Sequence, residues 1–138
     1  MPALVAAEKV EELIRENLRD EGYELSRERL YGQNGTDIIA TRGHQCLHIE
    51  AIAFKESPPA RAKDFYESFF RAVSRLHHGA THCVIALPAR FGKGLPQRAK
   101  AAGPAWRRIG NAFPELKIWL VDTEERSIKR TDWSDWAS

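Results

Sequence analysis

Thr36-Asp37-Ile38-Ile39-Ala40-Thr41 and, beyond a turn at Gly43, Gln45-Cys46-Leu47-His48-Ile49-Glu50-Ala51-Ile52-Ala53-Phe54 decide how this chain is read. Both stretches are rich in β-branched and apolar residues, and a Gly turn separates them. That is the signature of a β-hairpin. Each arm carries one carboxylate where a core residue is expected. Asp37 opens the first arm, and Glu50 lies between Ile49 and Ala51 in the second.

Upstream, residues 5–21 form an amphipathic helix, with Val10, Leu13, Ile14, Asn17, Leu18 and Glu21 on one stripe and Gly22 as its stop. Tyr23 to Tyr31 alternates loosely and is predicted as a first strand, closed by the Gly32-Gln33-Asn34-Gly35 turn. Downstream, Ser57-Pro58-Pro59 starts a second helix that runs to about Leu76, with Phe65, Phe69, Ala72, Val73 and Leu76 on its buried face. Gly79 ends it. Thr81 to Leu87 is an apolar run of buried-strand length. Leu95 to Ala112 is helical with a break at Gly103-Pro104, Leu116 to Val121 is another buried strand, and Arg126 to Thr131 is available as a short edge strand. The Trp133–Trp136 tail fits no single element. The order α-β-β-β-α-β-α-β predicts an α/β domain over residues 1–138, with a mixed central sheet of about five strands flanked by helices.

The length of 138 residues allows one core, and 43% hydrophobic with 29% charged residues is the composition of a folded domain. Mean hydropathy is −0.48, and no apolar run approaches a membrane span, so no membrane partner is expected. The N-terminus has no basic stretch followed by an apolar one, which argues against a secretory leader and for a cytoplasmic protein. Cys46 and Cys83 then read as buried thiols, without the spacing of a zinc site. The net charge of +2 conceals a segregation. Residues 1–30 carry five basic and eight acidic side chains, whereas residues 88–118 hold seven basic ones against Glu115. Such a cationic block suits a polyanion, although a solvated helix face looks the same.

Buried carboxylates need a partner. Asp37 alone is ordinary turn chemistry beside Gly35, and Glu50 alone could pair with a buried Arg or Lys. Two carboxylates on adjacent hairpin strands repel unless a cation holds them, and Mg²⁺ or Mn²⁺ is the simplest such cation. His48, two residues before Glu50, shares its face; it is a weak base or metal ligand, or more simply a packed histidine. His77, His78 and His82 lack a carboxylate at ligand spacing. Gly92-Lys93-Gly94 lacks the phosphate-loop spacing but is a basic loop after a strand. Trp106 beside Arg107 and Arg108 could stack on nucleic acid, though its spacing to Ile109 and Phe113 reads better as a buried face.

Gly35-Thr36-Asp37-Ile38-Ile39-Ala40 followed by Leu47-His48-Ile49-Glu50-Ala51-Ile52 resembles the PD-(D/E)XK nuclease superfamily, the restriction-endonuclease-like fold. The resemblance spans roughly residues 8–87. It rests on element order more than on the short motif: a helix, a three-strand meander bearing Asp and then Glu-x-Lys, a second helix and a further strand. The helix end at Glu21-Gly22-Tyr23 also suits it. The resemblance implies that Asp37 and Glu50 are metal ligands, with Glu11 or Glu12 as candidates for a further acid. It also places a lysine at position 52, where this chain has Ile52. Lys55 and Lys63 are the candidate substitutes. Lys55 has the wrong parity for a regular strand but precedes the forced bend at Ser57-Pro58-Pro59, and it is slightly favoured.

The function expected on this reading is a Mg²⁺- or Mn²⁺-dependent nuclease acting on DNA. Asp37, Glu50, Lys55 and Lys63 would form its catalytic set. Arg71, Arg75, Arg90, Lys93 and Arg98 would hold the nucleic acid, and a homodimer or protein partner would supply specificity. The rival is a decayed module on the same fold that binds nucleic acid or a protein without cleaving. A plain interaction domain is the third reading.

Overall fold

A computed structural model of the chain describes residues 3–26 and 37–137. The expected Gly32–Gly35 turn and most of the Tyr23–Tyr31 strand fall outside those residues. The elements run β1 (Ala3–Val5), α1 (Ala7–Asp20), β2 (Glu24–Leu25), β3 (Ile38–Arg42), β4 (Gln45–Ala51), β5 (Phe54–Lys55), α2 (Pro58–Ser74), β6 (His82–Pro88), α3 (Leu95–Ala102), α4 (Pro104–Ala112), β7 (Leu116–Asp122) and β8 (Ser127–Asp132). Short 3-10 turns follow α2 (Arg75–His78), β6 (Ala89–Lys93) and β8 (Trp133–Trp136). No helix among the described residues is long and apolar enough to cross a membrane.

The sheet is mixed, as expected, and among the described residues it has six strands, against the roughly five anticipated, in the order β2-β3-β4-β6-β7-β8. The β4–β6 and β6–β7 pairs are parallel and the other three antiparallel. Two features differ from the sequence reading. The second hairpin arm stops at Ala51, because Phe54–Lys55 leaves the sheet to pair with Ala3–Val5. Strands as short as these carry no periodicity that could announce them. The helix predicted for residues 5–21 begins only at Ala7, since Val5 belongs to that same small ribbon.

Strand alternation divides the core in two. Ile38, Ala40, Leu47, Ile49, Val84 and Trp119 face α1, which buries Val10, Leu13, Ile14 and Leu18 against them. Cys83, Ile85, Leu87, Ile118 and Leu120 face α2, α3 and α4. Helix α2 starts cleanly because the Ser57 side chain accepts from Ala60 N and Pro58 and Pro59 occupy the first turn. It packs through Phe65 and Ala72, with Phe69, Val73 and Leu76 half-buried beside them. Gly79 ends the following 3-10 turn at φ 82°. The predicted break divides α3 from α4 at Gly103, whose φ of 60° and ψ of −134° suit glycine alone.

The Trp133–Trp136 tail closes the α2 side. Trp133 and Trp106 stack with ring centres 3.8 Å apart. Each indole N–H donates to the other residue's carbonyl, at 2.9 Å from Trp106 and 2.8 Å from Trp133. The reading of Trp106 as a core residue therefore holds. Trp133→Ala is expected to destabilise the fold by about 3–5 kcal/mol, because it opens a cavity and removes the indole N–H that donates to the Trp106 carbonyl. Urea unfolding measures it, and a loss under about 1 kcal/mol would mean that the tail does not close the core.

Candidate functional site

In the β3–β4 ladder Ile38 pairs with Ile49 and Ile39 with His48. Asp37 immediately precedes β3, and Glu50 lies one residue beyond Ile49 on β4. Strand alternation turns Glu50 to the α2 side of the sheet, and both carboxylates are buried. Glu50 lies beside Ile85 of the parallel neighbour β6, and its strand passes under α2.

Each acid has a fixed contact. Asp37 Oδ2 accepts from Ala51 N at 2.8 Å, which ties the first carboxylate to the backbone just past the second. Glu50 Oε1 accepts from Arg75 Nε at 3.0 Å, an ion pair whose two side chains are only 5% and 16% exposed. Arg75 sits at the C-terminal cap of α2, and helical side chains lean toward the N-terminus, which carries its guanidinium back over β4. Burial raises the pKa of Glu50, and the charge of Asp37 raises it further; the Arg75 hydrogen bond and the charges of Arg75 and Arg71 oppose both. The two carboxylates thus interact, and Arg75 offsets only part of the cost.

Arg15 supports this corner from the other side of the sheet. It is buried on α1 and donates to the carbonyls of Ser26 at 2.7 Å and Asp37 at 3.3 Å. Ser26 also pairs with Ile39 in both directions. Arg15 thus holds the main chain of Asp37. It escapes a sequence reading because an arginine on a charged helix looks like surface.

His48 is buried on the Glu50 face; burial lowers its pKa, and the charges of His78 and Arg75 lower it further. It is a packed, neutral imidazole near pH 7. Cys83 is likewise inert, its thiol pushed up to about 11 by burial.

The two lysines named as stand-ins are held elsewhere. Lys55 Nζ pairs with Asp64 at 2.9 Å, and Lys63 Nζ, largely exposed, lies 3.9 Å from Glu67. Position 52 faces the Glu50 side, but Ile52 is packed into the apolar core with Phe54 and Phe65. Arg71 lies 3.6 Å from Glu67 and its charge reaches Glu50. Arg90 covers the Phe54 ring at 4.7 Å, beside Arg61 at 4.5 Å, at the end of β6. Arg98 lies against Phe65 and Tyr66, and Lys93 is exposed in the turn before α3. Glu12 is exposed on α1, and neither it nor Glu11 joins Asp37 and Glu50 in a metal-binding group. Among the described residues no group of three His, Cys, Asp or Glu side chains could hold a metal ion.

A polar cavity of about 270 Å³ opens on the opposite face of the sheet, lined in part by Tyr23, Gln45, His82, Lys117, Trp119 and Arg130. Of its charges, Lys117 pairs with Asp132, and Arg130 with Glu21 of α1's C-cap. It lies at the start of β4 and β6, away from Asp37 and Glu50.

No protein-family model matches this chain, and no curated protein matches it.

Proposed function

We propose that the chain is a metal-dependent nuclease of the restriction-endonuclease-like kind that hydrolyses DNA phosphodiester bonds. One observation carries this reading: Asp37, at the edge of β3, and Glu50, on the paired strand β4, are both buried, and the charge of Asp37 raises the pKa of Glu50. The donor set fits a hard divalent cation. Two carboxylates with the remaining positions left to water and phosphate are what Mg²⁺ accepts, and a third acid is not required. Asp37 and Glu50 would hold it. When bound, such an ion supplies a water acidified toward neutral pH and charge neutralisation at the scissile phosphate.

The chain's own residues do the rest. Ala51 N fixes the rotamer of Asp37. Arg75 favours the ionised form of Glu50 and aligns it through Nε, and its Nη groups would be the planar donors that meet a phosphate oxygen. Arg75 therefore takes the cationic role that Ile52 cannot, in place of Lys55 or Lys63. Arg71, Arg90, Lys93 and Arg98 hold the backbone by contacts that carry no sequence information, so specificity falls to a second copy or a protein partner.

The ion pair also supports a second reading. A Glu50 already satisfied by Arg75, with Ile52 in the core, is a stable arrangement for a decayed site that binds without cutting. Incubation with supercoiled and single-stranded DNA in Mg²⁺ or Mn²⁺ against EDTA separates the two. The expected result is metal-dependent cleavage. Absence of cleavage with either ion, while DNA binding weakens steeply with salt, establishes the decayed module.

A further inference from the structure

Helix α2 carries two aromatic rings that the core does not use. Tyr66 is 56% and Phe70 72% exposed, one helical turn apart. Single exposed apolar residues are ordinary. These two stand side by side in a shallow depression bordered by Lys63, Glu67 and Arg71, and the Arg98 guanidinium lies 5.8 Å from the Tyr66 ring. The three cations outnumber Glu67, the acid of that depression. Glu67 is shared between Lys63 and Arg71 in exposed contacts, which contribute little and give way readily to a competing anion. Arg71 lies on the helix whose C-cap residue, Arg75, pairs with Glu50, and its charge is among those that act on Glu50.

We propose that Tyr66 and Phe70 are a stacking platform for unpaired bases, with Lys63, Arg71 and Arg98 meeting the phosphates, so that the ligand of this surface is single-stranded DNA. The inference rests on the nuclease-fold reading and names the substrate class of that site. A duplex hides its base faces and presents only edges and backbone, whereas splayed bases offer a π-face to an aromatic ring whatever their sequence. Four residues of helix separate the rings by about 6 Å along the axis, against the ~3.4 Å of stacked bases, so the platform suits bases already pulled apart. A second copy of the chain is the poorer occupant. Two partly exposed rings offer roughly 300 Å², while a stable dimer needs about 800 Å² per partner. A two-fold contact centred on the patch would also bring three cations and one acid from each copy together.

The test is fluorescence anisotropy of a labelled oligo-dT of about ten nucleotides and of a duplex of equal length, with the full chain in EDTA so that cleavage plays no part. Oligo-dT is expected to bind. Phe70→Ala and Tyr66→Ala should each weaken it about tenfold, Phe70→Leu nearly as much as Phe70→Ala, and Phe70→Trp little, because a ring rather than apolar area is required. Duplex affinity should stay unchanged in all of them. Both side chains are exposed, and circular dichroism checks that the variants fold. Oligo-dT affinity untouched by Phe70→Ala, an equal loss for duplex, or a dimer that Phe70→Ala dissociates in sedimentation would each overturn the platform. The two readings fail separately. Oligo-dT binding without cleavage in any metal removes the nuclease and keeps the platform. Metal-dependent cleavage that survives Phe70→Ala on single strands at full efficiency removes the platform and keeps the nuclease.

Discussion

Asp37→Asn and Glu50→Gln should each reduce metal-dependent cleavage by at least about a thousandfold, to the level of the EDTA control. Neither change alters side-chain volume. An amide at position 37 retains an oxygen for the Ala51 N–H, and one at position 50 retains an oxygen for Arg75 Nε, so the fold should survive both. What each removes is one of the two negative charges that a divalent cation requires. The apo-protein should respond in the opposite sense. Glu50 titrates above its ordinary value of 4.5, so the native state holds a proton that the unfolded chain has released. The stability tied to that proton is complete below about pH 4.5 and is lost as pH rises through the raised value. Either substitution ends the mutual repulsion, so unfolding free energy at neutral pH should hold steady or increase while activity vanishes. Urea titrations across pH, paired with cleavage assays, read both quantities. Activity retained in either variant would remove that residue from the site.

The acid limb of the same profile has a different origin. His48 and His82 both titrate below 6.5, each mainly through burial. Below that value the unfolded chain takes up protons that the folded chain resists, so their contribution is complete above pH 6.5 and falls away as pH drops. Glu50 and the two histidines therefore move stability in opposite directions as pH changes.

Local chemistry makes much of this fold legible. Gly43 and the β-branched runs beside it specify a hairpin, and the period of two along its second arm puts His48 and Glu50 on one face. Gly79 and Gly103-Pro104 end helices where their backbone freedom and missing N–H require. The partners of the site are not legible in the same way. Arg75 lies 25 residues beyond Glu50, and its reach depends on how α2 is rotated over β4, which the helix sequence does not encode. Trp133 docks on Trp106 across 27 residues, where Gly110 leaves room: a Cβ there would lie 3.3 Å from the Trp133 ring. The bend after Lys55 favours it, on sequence, as the catalytic cation. The strand in fact ends four residues earlier, at Ala51, and the released Lys55 finds Asp64.

Arg75→Ala should be the most damaging single change to stability near the site, at about 3–5 kcal/mol near neutral pH. Glu50 has an almost fully buried side chain, and its carboxylate would lose both its hydrogen bond and its nearest positive charge while still facing Asp37. The pH dependence separates this from loss of packing. Without Arg75 the pKa of Glu50 climbs further, so the deficit relative to wild type should be largest near pH 8 and shrink below about pH 4.5, where Glu50 is protonated in both states. A packing defect would persist at every pH. Adding Glu50→Gln should recover most of the loss, because the amide needs no counter-charge, and the double-mutant cycle then gives the coupling directly. Arg75→Lys should hold Glu50 ionised yet lack the planar donor pair, so stability should largely return while cleavage stays about a hundredfold down. Full cleavage by Arg75→Lys would reduce Arg75 to a counter-ion. An Arg75→Ala deficit that ignores pH would show that the ion pair contributes nothing to the charge state of Glu50.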